Sequence, residues 1–141
     1  KWSVPALVEG DVLAICSGGA GIPVVAEDVQ YVGVEAVNDK DFSARVLAEN
    51  VDADRLIILT GVDNIYINYN QPDQKALEQI SVAEAEEYIK EGHFAAGSML
   101  PKIEAALDFV KGDDKRKAII TSIENLENID KEAGTVISQK G

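Results

Sequence analysis

The chain has 141 residues, 46% of them hydrophobic, which is the length of one domain with enough apolar side chains to form a core. Its formal net charge of −12 would repel the phosphates of nucleic acids and of anionic membranes, so neither is an expected partner. The single cysteine, Cys16, cannot form an internal disulfide, and no secretory signal opens the chain; both observations favour a cytoplasmic location.

The first third of the chain is predicted to contain a buried strand, a glycine-rich loop and a hairpin. Residues 1–7 give an ambiguous pattern, of an irregular or edge segment. Residues 12–16 are an unbroken apolar run, which predicts a buried strand and makes Cys16 a buried thiol rather than a nucleophile. The next loop, residues 17–23, can aim several backbone N–H groups at one anion, although it is not a Walker loop. Residues 24–32 then predict a small hairpin.

A helical pattern and a second buried strand follow. Residues 41–50 repeat apolar side chains every three to four positions, and Asp41 is placed to cap this helix or to lie in its first turn. Residues 56–59 form an apolar run that is typical of a central strand buried on both faces. Because ligands of α/β sheets bind where strands end at their carboxyl side, residues 60–63 predict a ligand-binding edge. Gly61 would let the backbone approach a ligand closely, and a plain tight turn is the alternative.

The middle of the chain is predicted to contain a β segment and a capped helix. Residues 65–70 alternate apolar and polar side chains, as a half-buried strand does. Ser81 and Glu84 form a capping box for a helix over 82–91, which ends at Gly92.

The last third repeats the alternation of helix and strand. A helix is predicted over residues 98–111 with Ser98 as its N-cap, and strands are predicted over 117–121 and 134–137. A second capping box at residues 121–124 predicts a short helix between the two strands. The pattern is that of a single α/β domain, a three-layer αβα sandwich on a mainly parallel sheet.

Two lysines stand out because each lies at the start of a predicted helix. Lys102 occupies a first turn, where the helix dipole disfavours a cation by about 0.3–1 kcal/mol unless an anion binds there. Lys40 lies between Asp39 and Asp41 and could face a phosphate. The alternatives are a solvated surface lysine and charge balance at a helix start. The only histidine, His93, lacks the partners of a metal site, so no metal ligands are assigned.

These features together favour phosphoryl transfer. That reaction needs positioned cations and backbone dipoles around the transferred phosphoryl group, usually with Mg²⁺. A glycine-rich loop, two lysines and a strand edge supply such groups, and a parallel sheet would gather them on one side.

Four motifs of this chain resemble the carbamate kinase family of the amino-acid kinase superfamily. They are GGAGIPVV at 18–25, VNDKDF at 37–42, ILTGVDNIYINY at 58–69 and GSMLPKIEAA at 97–106. Residues 118–126 and 134–137 resemble the carboxyl-terminal end of the family. The Asp-Lys-Asp and Gly-Ser-Met…Pro-Lys segments are the parts that separate this family from its relatives.

The resemblance implies a three-layer αβα fold, a homodimer, and reversible phosphoryl transfer between ATP and carbamate with Mg²⁺. The family serves arginine fermentation, in which ATP is made from carbamoyl phosphate. By position, Lys40 and Lys102 would contact the transferring phosphoryl and the nucleotide phosphates, and Asp41 would orient both lysines. The phosphoryl and acceptor end would lie beside Gly18, Gly19, Ala20 and Gly21. The nucleotide would be bound by Thr60, Gly61, Val62, Asp63, Asn64, Ile65, Tyr66, Phe94, Ala95, Ala96, Gly97, Ser98, Met99 and Lys102.

Two departures from the family pattern matter. Family members are about twice as long, so residues 1–141 are predicted to be one domain that corresponds to the carboxyl-terminal, nucleotide-binding half. Ala20 replaces a glycine of the family's loop, which costs roughly 1 kcal/mol if that residue has a positive φ. The alternatives to a kinase are a non-catalytic nucleotide-binding module and a truncated remnant that needs a partner lobe. A sister kinase acting on a carboxyl or phosphate group of an amino acid or a nucleotide is a third possibility, which Lys40 disfavours.

Overall fold

The structure is a computed structural model that describes residues 3–16, 18 and 21–141. None of the described helices has the length and apolarity to cross a membrane. In chain order the elements are α1 (Ser3–Glu9), β1 (Val24–Glu27), β2 (Gln30–Gly33), α2 (Lys40–Asn50), β3 (Arg55–Thr60), β4 (Ile65–Ile67), β5 (Lys75–Leu77), β6 (Gln79–Ser81), α3 (Val82–Lys90), α4 (Met99–Lys111), β7 (Lys117–Ser122), a 3₁₀ helix (Leu126–Lys131) and β8 (Thr135–Ser138).

The central sheet has four strands in the order β3-β7-β8-β6. The β3–β7 and β6–β8 pairs are parallel, and only the β7–β8 pair is antiparallel. The predicted α/β class with a mainly parallel sheet is therefore confirmed. The strands predicted over 56–60, 117–121 and 134–137 match β3, β7 and β8 to within one residue at each end.

Helix α4 lies across one face of this sheet and contacts β3, β7 and β8, while α2 and α3 pack against its sides. Its apolar stripe is buried, because Ile103, Ala106, Leu107 and Val110 all lie in the core. The stripe of α2 is weaker, since only Ala48 of that helix is buried. The core thus lies between the sheet and α4.

The helix ends largely follow the predicted capping chemistry. The Ser81 side chain accepts a hydrogen bond from the Glu84 amide and the Glu84 carboxylate accepts one from the Ser81 amide, so the capping box is confirmed. Gly92 follows the end of α3 with φ of 77°, the left-handed conformation expected of a glycine there. Ser98 precedes α4 at the N-cap position, but its side chain makes no capping hydrogen bond. Asp39 caps α2, and Asp41 lies in the first turn of that helix.

The capping box predicted at residues 121–124 is wrong. Thr121 and Ser122 belong to β7, where they pair with Leu59 and Thr60 of β3. The 3₁₀ helix begins only at Leu126. Strand pairing with β3 has overridden the local capping preference of these residues.

Residues 12–16 do not form the predicted strand. Within the described part of the chain they pair with no other strand, and Leu13 and Ile15 are 94% and 100% exposed. An apolar run becomes a buried strand only when neighbouring strands and helices cover it, and none of the described elements does so here. Cys16 is accordingly half-buried rather than buried. The ambiguous amino-terminal segment forms α1, and β1 and β2 form the predicted hairpin.

The prediction that β3 is buried on both faces is also wrong. Leu56 and Ile58 are buried against α4 and its neighbours, but Ile57 and Leu59 are 39% and 38% exposed. Among the described elements β3 is an edge strand, and the helices α2, α3 and α4 cover one face of the sheet only. The described strands that are buried on both faces are β7 and β8. The third layer of the predicted sandwich stays a prediction.

Candidate functional site

A cavity of about 620 Å³ opens at the carboxyl end of β3, between the β4–β5 hairpin, the segment after α3 and the first turn of α4. Such a position is where α/β sheets bind ligands. Its lining residues are Thr60, Gly61, Val62, Tyr66, Asn68, Tyr69, Gln71, Gly92, His93, Phe94, Ala95, Ser98, Met99 and Lys102.

The floor of the cavity comes from the end of β3. Thr60 is the last residue of that strand, and Gly61 and Val62 follow it. A Cβ atom added to Gly61 would meet no other atom within 4 Å, so in the ligand-free structure nothing requires glycine for packing. The space above this backbone is open to a ligand.

The cationic wall comes from α4. Lys102 lies near the start of this helix, whose first turn holds no acidic residue, and its Nζ donates a hydrogen bond to Asp41 Oδ2 at 2.8 Å. The two side chains are only 22% and 20% exposed, so the pair is largely shielded from solvent. Asp41 is itself fixed, because its amide donates to Asp39 Oδ1 at 2.8 Å. The ion pair therefore joins α4 to α2 and fixes the side chain of Lys102, which lines the cavity.

The aromatic wall comes from the β4–β5 hairpin. Tyr66 lies on β4, and Tyr69 lies in the connecting loop with its ring centroid 5.9 Å from that of Tyr66, at an interplanar angle of 45°. Asn68 and Gln71 of the same loop add amide groups to the lining. This wall offers both a flat apolar surface and hydrogen-bonding groups.

The last wall is the segment that follows α3. The buried side chain of Phe94 anchors it in the core. His93 lies over Tyr88 with a centroid distance of 5.8 Å in an edge-on arrangement, and its Nε2 lies 3.0 Å from Glu91 Oε2. The imidazole is thus held from two sides while it lines the cavity.

The structure brings together nine of the residues predicted to bind a nucleotide: Thr60, Gly61, Val62, Tyr66, Phe94, Ala95, Ser98, Met99 and Lys102. The other five do not line the cavity, and three of them, Asp63, Asn64 and Ile65, have side chains engaged elsewhere. Asp63 Oδ1 accepts a hydrogen bond from Ser122 Oγ at 2.6 Å, and Asn64 Nδ2 donates to the Leu77 carbonyl at 3.2 Å. Ile65 is fully buried in the core, and Ala96 and Gly97 are exposed outside the lining.

The residues predicted for the phosphoryl end are not gathered at the cavity. Lys40, the first residue of α2, is exposed and outside the lining, as are Gly18 and Gly21. Gly19 and Ala20 lie outside the described residues, so the expected effect of Ala20 stays a prediction. Among the residues that the structure describes, no three His, Cys, Asp or Glu side chains gather closely enough to hold a metal ion.

Five lining residues are absent from the predicted set: Asn68, Tyr69, Gln71, Gly92 and His93. Asn68 and Tyr69 belong to the alternating segment that follows the predicted ligand-binding edge. Their closeness to that edge in the sequence could have indicated that they line the cavity. His93 follows Gly92, the glycine after α3, so it lies in the short segment that connects α3 to α4. Only the tertiary structure shows that these junctions share one cavity.

The fold and the site together define the class of this protein. It is an α/β domain with a ligand-sized cavity, lined in part by Lys102, at the carboxyl end of a strand. The chain belongs to the amino acid kinase family, whose sequence model matches residues 4–122. The whole chain aligns with carbamate kinase 2 from Enterococcus faecalis at 95% identity and covers 45% of that protein. With a carbamate kinase from Latilactobacillus sakei the identity is 55%, and the alignment covers 94% of this chain and 43% of the relative.

A structural comparison agrees with the sequence comparisons. The structure of carbamate kinase from Giardia lamblia bound to AMP-PNP matches 97% of this chain and 48% of its own, with a TM-score of 0.87 and 40% identity. The chain therefore spans less than half the length of these relatives. These shares do not support the narrower assignment to the carboxyl-terminal half, which stays a prediction.

Proposed function

We propose that this chain is the nucleotide-binding half of a carbamate kinase, and that the cavity at the end of β3 holds ATP or ADP. The longer enzyme would transfer a phosphoryl group reversibly between ATP and carbamate, with carbamoyl phosphate and ADP on the other side of the reaction. The resemblance of residues 118–126 and 134–137 to the family's end is what supports assigning the chain to the carboxyl-terminal half. A homodimer in the cytoplasm, acting in arginine catabolism, belongs to the same proposal.

The observation that carries the proposal is the position of Lys102. A cation near the start of a helix is unfavourable beside the positive end of the helix dipole, yet here it borders a cavity of about 620 Å³. An anion bound there would be attracted by the Lys102 ammonium and by the positive end of the helix dipole, whereas the amides of Met99 and Leu100 already donate to the Ala95 carbonyl. A nucleotide phosphate is such an anion.

The remaining walls suit the rest of a nucleotide. Tyr66, Tyr69 and Phe94 supply apolar surface for a base, and Asn68 and Gln71 supply amide groups that can hydrogen-bond to its edge. One Glu–His contact and the Tyr88 ring hold the imidazole of His93 in the lining. The cavity thus combines an apolar region with few, fixed polar groups.

The chain's own residues would act on the phosphates by position and charge. Lys102, held by Asp41, would neutralise phosphate charge, and Lys40 would approach the transferred phosphoryl group from the start of α2. Mg²⁺ bound with the nucleotide would supply further neutralisation of the phosphate charge. The carbamate site and the glycine-rich loop of residues 18–21 would complete the reaction centre.

A non-catalytic nucleotide-binding module is the alternative, because the chain spans only 45% of the length of its Enterococcus faecalis relative. The two proposals differ in one measurable respect. A carbamate kinase half should support ATP formation from carbamoyl phosphate and ADP when the missing part of the Enterococcus faecalis relative is added, whereas a binding module should not.

Calorimetric titration with Mg-ADP tests the shared part of both proposals. The wild-type chain should bind, and Lys102→Ala should weaken binding by about 1.5–3 kcal/mol, a factor of ten to a few hundred, because a charge-assisted phosphate contact is lost. Lys102→Arg should restore binding only in part, since a planar fork does not replace a point charge.

Lys111→Ala is the matched control. It removes a lysine from the other end of α4, where Nζ pairs with Glu86 Oε1 at 2.6 Å away from the cavity, and should leave binding unchanged. Absence of binding at millimolar Mg-ADP would exclude nucleotide binding by this chain. Equal binding by wild type and Lys102→Ala would exclude the proposed phosphate position.

A further inference from the structure

Thr135, the first residue of β8, has a completely buried hydroxyl group with two partners far away in the sequence. Its Oγ1 accepts a hydrogen bond from the Ile65 amide at 2.8 Å. The same hydroxyl donates to the carbonyl of Leu77. One side chain of the central sheet therefore holds both strands of the β4–β5 hairpin.

The hairpin depends on such support. It is a separate two-stranded sheet with three residues in each strand, in which Ile65 pairs with Leu77. A two-stranded hairpin of this size is at best marginally stable on its own in water. Ile65 and Leu77 pack into the core, and Thr135 fixes their backbone groups at the point where the hairpin leaves the sheet.

The hairpin is also one wall of the cavity. Tyr66 follows the anchored Ile65 directly, and Asn68, Tyr69 and Gln71 of the same hairpin line the cavity. A displacement of the Ile65 backbone would move the Tyr66 ring, and with it the wall. Thr135 itself does not line the cavity, so any effect on a ligand must pass through the hairpin.

We propose that Thr135 is a positioning residue that presets the β4–β5 hairpin as the aromatic wall of the ligand cavity. The consequence for nucleotide affinity rests on the proposed function, whereas the fixed hairpin does not. The hydroxyl is required chiefly as the acceptor for the buried Ile65 amide, because the Leu77 carbonyl also accepts a hydrogen bond from Asn64 Nδ2 at 3.2 Å. Serine can provide both hydrogen bonds, but valine, which has nearly the shape of threonine, can provide neither.

The test compares Thr135→Val with Thr135→Ser. Thr135→Val should weaken Mg-ADP binding about three- to tenfold in calorimetry, while Thr135→Ser should bind within about twofold of wild type. Ile119→Val is the matched control, because Ile119 is also fully buried in the sheet but does not belong to the core cluster that contains Ile65 and Leu77. It should lower the melting temperature without weakening binding.

Hydrogen–deuterium exchange at the Ile65 amide is the readout that needs no nucleotide. This amide should exchange slowly in the ligand-free wild type and in Thr135→Ser, and about tenfold faster in Thr135→Val. The wild-type measurement keeps the test decisive if Thr135→Val does not fold. An unprotected Ile65 amide in the ligand-free wild type would overturn the proposal, because the wall would then not be preset.

The two readouts separate the two proposals. If the wild type fails to bind Mg-ADP but the Ile65 amide loses protection only in Thr135→Val, the proposed function fails and the positioning role stands. If the wild type binds and Thr135→Val binds as tightly as wild type or Ile119→Val, the positioning role is wrong and nucleotide binding stands.

Discussion

Lys102 of α4 and Asp41 of α2 form an ion pair across 2.8 Å, although 61 residues separate them in the sequence. The pair joins the first turns of two helices that pack against each other on the sheet. Asp41 is favourable beside the positive end of its own helix, and its carboxylate also offsets the unfavourable position of Lys102. The lysine of the cavity edge is thus held by a helix that does not line the cavity.

This ion pair reverses an expectation drawn from the sequence. With Lys102 considered alone, Lys102→Ala should leave the ligand-free stability unchanged or raise it. Because the ammonium is paired with Asp41 and largely shielded, we now expect Lys102→Ala to lower the free energy of unfolding by about 0.5–1 kcal/mol in urea denaturation. Lys111→Ala, which breaks a more exposed pair of the same helix, should cost less. A more stable Lys102→Ala would show that the Asp41 contact contributes nothing.

Gly61→Ala should separate packing from ligand approach. An added Cβ has open space in the ligand-free structure, so the melting temperature should change by no more than about 2 °C. If a nucleotide lies against this backbone, the methyl group should weaken Mg-ADP binding about tenfold or more. Gly33→Ala, which has equal space but lies outside the cavity lining and the predicted nucleotide-binding set, is the control and should bind as wild type. Unchanged binding in Gly61→Ala would place the ligand elsewhere in the cavity.

Gly134→Ala should be strongly destabilising. Gly134 has φ of 121°, and an added Cβ would lie 2.6 Å from Thr121 Cβ and 2.7 Å from the Ile120 carbonyl oxygen. Backbone strain and this clash together should lower the free energy of unfolding by at least about 2 kcal/mol, measured by urea denaturation. Gly33→Ala meets no atom within 4 Å and should be nearly neutral. A Gly134→Ala chain as stable as Gly33→Ala would contradict the close approach of these strands.

The capping box of α3 should make stability depend on acid pH. The backbone hydrogen bond from Ser81, and secondly its hydroxyl, hold the pKa of Glu84 below its ordinary value of 4.5. A lowered folded-state pKa adds stability above about pH 4.5, and this contribution is lost as the pH falls through the folded-state value.

Glu84→Ala should therefore lower the free energy of unfolding by about 0.5 kcal/mol at pH 7, with the difference from wild type shrinking below pH 4.5. Urea denaturation at a series of pH values measures it. Glu87→Ala, which removes an exposed glutamate from the same helix, serves as the control for side-chain removal. A Glu84→Ala difference that grows at acid pH would contradict the sign.

Local sequence signals predicted most of the secondary structure of the central sheet and its helices. The bounds of α2, α3 and α4 and the capping chemistry of Ser81 follow from propensity, periodicity and side-chain hydrogen bonds within a few residues. Such signals act at short range, so they can be recognised without knowing the fold. They failed at residues 121–124, where pairing between β7 and β3 uses the same residues differently.

Burial was predicted less well, because it depends on which elements become neighbours. The apolar runs at residues 12–16 and in β3 look alike in sequence, yet the first forms no strand and is largely exposed, and the second is an edge strand with one covered face. The interior strands of the sheet are β7 and β8, and β7 carries a similar run. A run of apolar residues indicates that burial is favourable, but the neighbours that provide it come from elsewhere in the chain.

The sequence by itself determined the α/β class, the places where helices begin and end, and the set of strand ends and helix starts from which a ligand cavity could be built. Tertiary structure alone decided that the end of β3, the β4–β5 hairpin, the His93 segment and the start of α4 share one cavity. It also paired Lys102 with Asp41 and attached the hairpin to Thr135, contacts that span 61 and 70 residues. Contacts at that separation arise only when packing of the whole core brings the elements together, so no local pattern encodes them.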